Sequence, residues 1–160
     1  MVDRAATQAY RAGFSRKINL KTKTIRQSVL FKASPHEVYE LLMDSRKHAG
    51  FTGEGAEISR EVGGRVSAYE RYIEGTNEEL IPDARIVQRW RSTEWPDGHY
   101  SKVTFQLKRT TGGTRLSFTQ SGVPEEDYES KKEGWVESYW EKMKKFLERE
   151  KRARAKRRTR

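Results

Sequence analysis

The sequence predicts an α+β domain in which a curved antiparallel sheet of about six or seven strands wraps around one long C-terminal helix. Runs of alternating apolar and polar residues, separated by turns rich in glycine and proline, fill residues 56–121. Such alternation is typical of half-buried antiparallel strands. A long amphipathic segment follows Pro124. Several strands before a single long helix favour the α+β class.

The first strand is predicted over residues 25–32, ahead of two short helices. Its apolar residues occupy one face of an extended run: Ile25, Val29 and Phe31. This period of two is that of a β-strand.

A helix start follows at Ser34, whose side chain can cap the amide of Glu37 while Glu37 reaches back. Pro35 suits the first helical position. We expect the helix to break and restart near Asp44, and its second part to end before Gly50.

The remaining strands are predicted as hairpins. Glycine and proline pairs mark the turns, since both residue types favour tight reversals of the chain. The predicted strands cover residues 56–61, 65–72, 72–81, 84–91, 100–109 and 115–121, with turns at Gly63–Gly64, Pro82–Asp83, Trp95–Gly98 and Gly112–Gly113.

The last helix is predicted to begin at residues 122–124 and to continue into the basic C-terminus. Its apolar stripe consists of Tyr128, Trp135, Tyr139, Met143 and Phe146. Acidic residues fill its first turn and basic residues its later turns, which suits the helix dipole.

Charge divides the chain into three predicted segments. Residues 1–24 are interpreted as a basic, flexible arm with a short helix over residues 5–14, residues 25–150 as the folded domain, and residues 151–160 as a basic tail. The formal net charge is +10. The two ends carry +5 and +7, which leaves −2 on the domain. A domain that binds nucleic acid is expected to have a basic face on the fold itself.

We therefore expect nucleic-acid or anionic-surface contact to be weak, non-specific and confined to the tail. The alternative is that the tail only aids solubility. The residues that would make this contact are Lys151, Arg152, Arg154, Lys156, Arg157, Arg158 and Arg160.

Several classes of protein are disfavoured by what the chain lacks. There is no cysteine, which excludes disulfides, thiolate nucleophiles and cysteine metal ligands. No apolar run reaches the roughly 20 residues of a membrane span, and no apolar secretion signal opens the chain. A cytoplasmic location is the expectation.

Cofactor and metal sites are not predicted either. No phosphate-binding loop or dinucleotide fingerprint is present, and His36, His48 and His99 have no metal-binding spacing. We expect no cofactor, no metal and no enzymatic activity. The least favoured alternative is a cyclase-like or hydrolase-like enzyme that uses Glu70 or Glu74 as a base.

A set of short motifs, in order and spacing, resembles the START-like (SRPBCC, helix-grip) superfamily. Within it, the chain is most similar to the family of activator of heat-shock-protein-90 ATPase homologues, from Ile25 to Leu147. The similarity is strongest to the C-terminal domain of the co-chaperones in that family. The motifs are Ser34-Pro35-x-x-Val38-Tyr39, Gly63-Gly64-Arg65, Val87-x-x-Trp90-Arg91, Gly113-Thr114-Arg115-Leu116 and Gly134-Trp135.

The resemblance implies a non-catalytic domain that holds a small hydrophobic ligand between the sheet and the C-terminal helix. The alternative for the same residues is a filled core. Gly134 either permits close packing or leaves room at a cavity mouth. The candidate lining residues are Trp90, Trp95, Phe105, Phe118, Gly134, Trp135, Tyr139 and Met143.

A second function implied by the resemblance is binding to a heat-shock-protein-90-type chaperone, with modulation of its ATPase. The family's co-chaperones carry much of their stimulating contact on a separate N-terminal domain. The residues ahead of Ile25 are too few for such a domain.

Overall fold

Seven antiparallel strands form a single sheet in the computed structural model, which describes residues 20–159. The strands are β1 (Thr22–Phe31), β2 (Glu57–Ile58), β3 (Arg65–Ala68), β4 (Ile73–Ile81), β5 (Arg85–Ser92), β6 (Ser101–Thr110) and β7 (Gly113–Pro124). Their order is β1-β7-β6-β5-β4-β3-β2, so the first strand lies beside the last. The predicted helix over residues 5–14 lies outside the described residues.

Helices occupy one side of this sheet, which is called the inner face below. They are α1 (Pro35–Met43), α2 (Ser45–Thr52), α3 (Tyr128–Trp135) and α4 (Glu141–Arg158). A 3-10 turn (Glu125–Asp127) precedes α3, and a π-helical turn (Val136–Trp140) joins α3 to α4. The α+β class and the grip of the sheet on a long C-terminal helix are therefore confirmed.

The predicted capping box starts α1. The hydroxyl of Ser34 accepts from the Glu37 amide at 3.2 Å, and the Ser34 amide donates to the Glu37 carboxylate at 2.8 Å. The predicted break falls at Asp44, whose carboxylate accepts from the amide of Lys47 at 2.9 Å. Two amides at the start of α1 and one at the start of α2 thus find side-chain partners, as the local sequence requires.

The expected end of the second helix before Gly50 is wrong. α2 continues to Thr52 and ends at Gly53, which has a φ of 79°. Gly50 serves packing instead, because a Cβ there would come within 2.9 Å of the Phe146 ring. The left-handed conformation that ends a helix is taken by the later glycine, which has no such neighbour.

The predicted helix start at residues 122–124 is also wrong. β7 continues to Pro124, because β1 pairs with it as far as Thr22. The amide of Glu125 then donates to the carbonyl of Lys21 at 2.9 Å, which extends the pairing by one more bond. The helix therefore begins with the 3-10 turn. At its other end it continues through the basic residues to Arg158.

Candidate functional site

Aromatic rings fill the centre of the space between the inner face and the C-terminal helix. The Trp135 ring lies at their centre, with its centroid 4.3 Å from that of Phe118 and 4.4 Å from that of Tyr139. It stacks on Trp90 at 5.0 Å and meets Phe105 edge-on at 5.9 Å. Five of the candidate residues are therefore brought together. Most of them form core rather than an internal cavity.

The π-helical turn explains how the helix can present so many rings to the sheet. Trp135 and the neighbours Tyr139 and Trp140 are all at most 5% exposed. A regular α-helix would rotate adjacent residues about 100° apart, whereas the extra residue of a π turn widens the buried face. Such turns are frequent at functional sites.

A chain of buried hydrogen bonds fixes the Trp135 ring. Its Nε1 donates to Gln120 Oε1 at 2.7 Å. The Gln120 amide donates to the hydroxyl of Ser101 at 2.9 Å, which donates to the carbonyl of Trp90 at 2.8 Å. Gln120 is fully buried. Because every polar group along this path has a partner, the hydrogen bonds offset the cost of removing these groups from water, and the network makes the site more rigid.

An open cleft of about 470 Å³ lies beside this cluster, between α3, the π turn and the strand ends. Its floor is formed by the indoles of Trp90 and Trp135, and its walls by Tyr69, Tyr72 and Tyr139. Phe105, Phe118 and Met143 are buried and do not line it.

Gly134 lies at the edge of this cleft. A Cβ built at Gly134 meets no atom within 4 Å. The residue therefore leaves open space rather than permitting close packing against a strand. A glycine inside a helix costs about 1 kcal/mol relative to alanine, and no packing contact explains that cost here.

Trp95 lies outside the cleft, where it contacts the start of the C-terminal helix. Its Nε1 donates to the carboxylate of Asp127 at 2.6 Å, and its carbonyl accepts from Arg91 at 2.6 Å. Its ring centroid lies 5.6 Å from that of His99. This residue positions the helix and does not line the cleft.

Polar groups surround the cleft mouth. The hydroxyl of Tyr69 donates to the carbonyl of Ser138 at 3.0 Å. The hydroxyl of Tyr72 donates to Glu94 at 3.1 Å and accepts from Lys131 at 3.3 Å. Burial raises the pKa of Tyr69, so its phenol stays protonated near neutral pH.

A left-handed turn brings Tyr69 to the cleft. Tyr69, Glu70 and Arg71 have φ values of 51°, 54° and 72°. Each such conformation costs a residue with a Cβ about 1–2 kcal/mol. The turn is anchored at Gly55, whose amide donates to the Glu70 carboxylate at 2.6 Å and whose carbonyl accepts from the Glu70 amide at 3.2 Å.

Behind the cleft wall, His48 and Tyr139 form a buried polar pair. His48 Nε2 lies 2.9 Å from the Tyr139 hydroxyl, and His48 is 3% exposed. Burial lowers the pKa of His48 to about 4 and raises that of Tyr139 well above its usual range. Both groups are therefore neutral at pH 7. Within residues 20–159, the Nδ1 atom of His48 has no hydrogen-bond partner.

The other candidate acid–base groups are dispersed. His36 pairs with Asp83 at 2.9 Å on the surface, and His99 contacts the carbonyl of Gly122 at 2.7 Å. Glu74 is paired with Arg91 at 2.8 Å and Glu70 is held by Gly55, so neither lines the cleft. In the described part of the chain, no three histidine or carboxylate side chains are close enough to share a metal ion.

Residues 32–148 match the family model described as activator of Hsp90 ATPase homolog 1-like protein. The chain belongs to this family. It is 32% identical over 126 residues to the activator of 90 kDa heat shock protein ATPase homolog of Dictyostelium discoideum, covering 77% of this chain and 32% of that protein. It is 28% identical over 127 residues to the human activator homolog 1, covering 79% of this chain and 38% of the relative.

Solved structures of activator-family proteins share the fold. An HSP90 activator from Plasmodium falciparum superimposes with a TM-score of 0.73 at 22% identity, covering 78% of this chain and 95% of that one. The Aha1 dimer from Colwellia psychrerythraea gives 0.61 at 17% identity, covering 71% and 88%. This activator-family domain spans 32% and 38% of the length of these two curated relatives.

The basic residues of the predicted tail extend the last helix of this activator-family domain. Arg154 contacts Glu37 at 3.0 Å, and Lys151 donates to the carbonyl of Lys32. Both contacts attach α4 to the end of β1 and the start of α1. Arg160 lies outside the described residues. No helix within residues 20–159 is long and apolar enough to cross a membrane.

Proposed function

We propose that this activator-family protein is a non-catalytic binding domain, and that the cleft beside Trp90 and Trp135 takes a small, flat apolar ligand. The open space at Gly134 carries the proposal. A helical glycine without a packing contact is a cost to stability. A ligand that enters the cleft at Gly134 would explain why a destabilising glycine is present there.

The lining of the cleft supports an aromatic or otherwise planar ligand. Indole and phenol rings offer large rigid faces, and the few polar groups at the mouth would orient what binds. The volume of about 470 Å³ lies within the usual range for small-molecule sites. Two charged residues line the cleft, Lys131, whose ammonium lies 4.9 Å from the centre of the Tyr72 ring, and Glu54, so the cleft offers a partner to either charge on a ligand.

Binding rather than catalysis is supported by the state of three acid–base groups at the cleft: Tyr69, Tyr139 and His48. A general base needs a pKa near the working pH and a position beside the reacting atom. The raised pKa values of Tyr69 and Tyr139 keep both phenols protonated. His48 is neutral at pH 7, but its Nε2 is engaged by Tyr139 behind the cleft wall.

Two variants of one residue test the cleft. Gly134→Leu fills the space with a side chain, whereas Gly134→Ala leaves most of it open. Both raise helix propensity by about 1 kcal/mol, so neither should unfold the protein. The probe is anilinonaphthalene sulfonate, a planar anion whose fluorescence rises in apolar sites.

We expect saturable fluorescence with the wild type and Gly134→Ala, and its loss with Gly134→Leu. Thermal unfolding of all three proteins is the stability control. Equal dye binding by Gly134→Leu would contradict the proposal. Native mass spectrometry of protein purified from its own cells would then identify the natural ligand.

The second candidate is regulation of an Hsp90-type chaperone. It is favoured by the names of the relatives, which are activators of the ATPase of the 90 kDa heat shock protein. Because this chain spans only part of those relatives, binding to the chaperone and stimulation of its ATPase are measured separately.

Calorimetry with the purified chaperone, together with its ATP turnover, tests this candidate. We expect a complex with a Kd of tens of micromolar or tighter, which corresponds to about 6–7 kcal/mol. No complex at that concentration would refute it. Gly134→Leu then distinguishes the two uses of the domain. If this variant no longer binds the dye but still binds the chaperone, the chaperone contacts a surface other than the cleft.

A further inference from the structure

The outer face of the sheet, which points away from the helices, divides into two halves of different charge. β1, β7 and β6 are neighbours and contain no aspartate or glutamate. Their exposed cations on this face are Arg26, Lys102, Lys108 and Arg115. We call this half, formed by β1, β7 and β6, the basic face.

The other half of the outer face is neutralised by ion pairs. Three glutamates of β4 each contact an arginine of β5: Glu74 with Arg91 at 2.8 Å, Glu78 with Arg89 at 3.7 Å and Glu79 with Arg85 at 3.2 Å. Within residues 20–159, none of the four cations of the basic face forms an ion pair. The positive charge of the basic face is therefore not balanced across the sheet.

Like charges are also placed directly opposite each other on this face. Lys108 of β6 pairs in register with Arg115 of β7. At the boundary with the other half, Lys102 of β6 faces Arg89 of β5, whose charge is already paired with Glu78. Opposed like charges destabilise a sheet. An anion bound between the two cations would turn this repulsion into attraction. Arrangements that lower the stability of the free protein are expected at functional sites.

The groups between the cations are hydrogen-bond donors rather than apolar side chains. They are Ser28, Thr104, Gln106, Ser117, Thr119 and Ser121. Arg115 donates to the hydroxyl of Ser28 at 2.9 Å, which orients its guanidinium. Among the described residues of these strands, Leu30 is the only large hydrophobic side chain that is exposed.

This composition fits nucleic acid better than a protein or a membrane. Protein interfaces have an apolar or aromatic centre, which the basic face lacks. Stable membrane attachment needs buried apolar groups or a second anchor in addition to basic charge. Hydroxyl, amide and basic side chains are the usual partners of phosphate oxygens.

The dimensions also suit a nucleic-acid backbone. Lys102 and Lys108 are six residues apart on one strand, which places them about 20 Å apart. A duplex carries one phosphate per about 1.7 Å of its axis, so several phosphates can meet this length. At the Lys108 end, Leu30 pairs with Arg115, and α4 is attached to the adjacent Lys32 through Lys151. The basic turns of α4 therefore begin beside the Lys108 end of the basic face, although α4 itself lies on the inner side of the sheet.

We propose that the basic face binds the phosphate backbone of nucleic acid without reading its sequence, and that the basic end of α4 extends the contact. The exposed residues of these strands offer no aromatic ring on which a base could stack. Affinity would then depend on counterion release and fall steeply with salt.

The test uses the full chain and fluorescence anisotropy with labelled duplexes of DNA and RNA of about 20 base pairs, at salt between about 50 and 200 mM. The variant Lys108→Gln/Arg115→Gln removes two charges from the basic face. The control Arg46→Gln/Lys145→Gln removes two exposed charges from α2 and α4, on the other side of the sheet. Both variants change the net charge equally.

The slope of log affinity against log salt is negative. We expect its magnitude to decrease by about 2 in the basic-face variant and to stay unchanged in the control. Chemical denaturation should find the basic-face variant at least as stable as the wild type, because a repulsion has been removed. Binding to either duplex supports the proposal, and the tighter arm identifies the nucleic acid. No binding at about 50 mM salt or equal slopes in the two variants would each overturn it.

Discussion

Acid should destabilise this protein through one buried histidine. His48 is enclosed between Phe51, at a ring distance of 4.9 Å, and Tyr139, at 5.4 Å. Burial lowers its pKa from 6.5 to about 4 in the folded state. Its hydrogen-bond partner Tyr139 is neutral at pH 7, and the ammonium of Lys142 donates to the carbonyl of Thr52 at 3.2 Å.

The direction of the effect follows from proton binding. Between pH 6.5 and about 4, the unfolded chain binds a proton on His48 and the folded protein does not. Stability is therefore fully present above pH 6.5 and is lost as the pH falls towards 4. At about 1.36 kcal/mol per unit, the full shift is worth about 3 kcal/mol, and about 2 kcal/mol of it should already be lost at about pH 5.

Urea denaturation at about pH 7.5 and about pH 5 measures this loss, which is large against a typical stability of about 5–15 kcal/mol. His48→Gln keeps a hydrogen-bonding partner for Tyr139 but removes the titration, so its stability should depend much less on pH over this interval. The control His36→Gln alters a surface histidine that pairs with Asp83 and should retain the full dependence. A His48→Gln protein that loses the same 2 kcal/mol as the wild type would refute the reasoning.

Three further predictions concern stability, each measured by chemical denaturation. Arg71→Gly should raise the free energy of unfolding by about 1 kcal/mol, because φ is 72° there; the strand control Arg65→Gly should lower it. Ser34→Ala should lower it by about 1 kcal/mol through loss of the cap, and an unchanged value would contradict that role. Gly75→Ala should cost more than the cap variant, because its Cβ would lie 1.8 Å from the carbonyl oxygen of Arg89; a folded protein of normal stability would contradict the close strand approach.

The sequence predicted most elements because local signals and burial agreed. In β6, Val103, Phe105 and Leu107 are buried while the residues between them point outwards, as the alternation required. The start of α1 was predictable because its cap is made within three residues of sequence. Two of the wrong boundaries, at Gly50 and at residues 122–124, depend on contacts with Phe146 and with β1, which no local pattern reports. The predicted strands 56–61 and 65–72 were also too long, since they end at Ile58 and Ala68, and the first strand begins at Thr22 rather than at residue 25.

The candidate site was predicted only in part for the same reason. Hydrophobicity and spacing identified the rings around Trp135, but whether they leave a cleft depends on packing in three dimensions. Tyr69 was missed because three successive left-handed residues without a glycine have no sequence signature. Gln120 was missed because a polar residue in a strand is usually exposed, and here it is buried by its bond to Trp135.

The net charge of the domain does not report how its charges are distributed, and the topology explains why. A sum of −2 over residues 25–150 treats the domain as one uniform body. The sheet order places β1 beside β7 and β6, although the first of these strands is separated from the others by about half the chain. The three segments that lack carboxylates thus become neighbours, while the glutamates of β4 lie on the other half of the sheet. A domain that is weakly acidic in total can therefore carry a basic face, and the anisotropy of charge decides which partners it attracts.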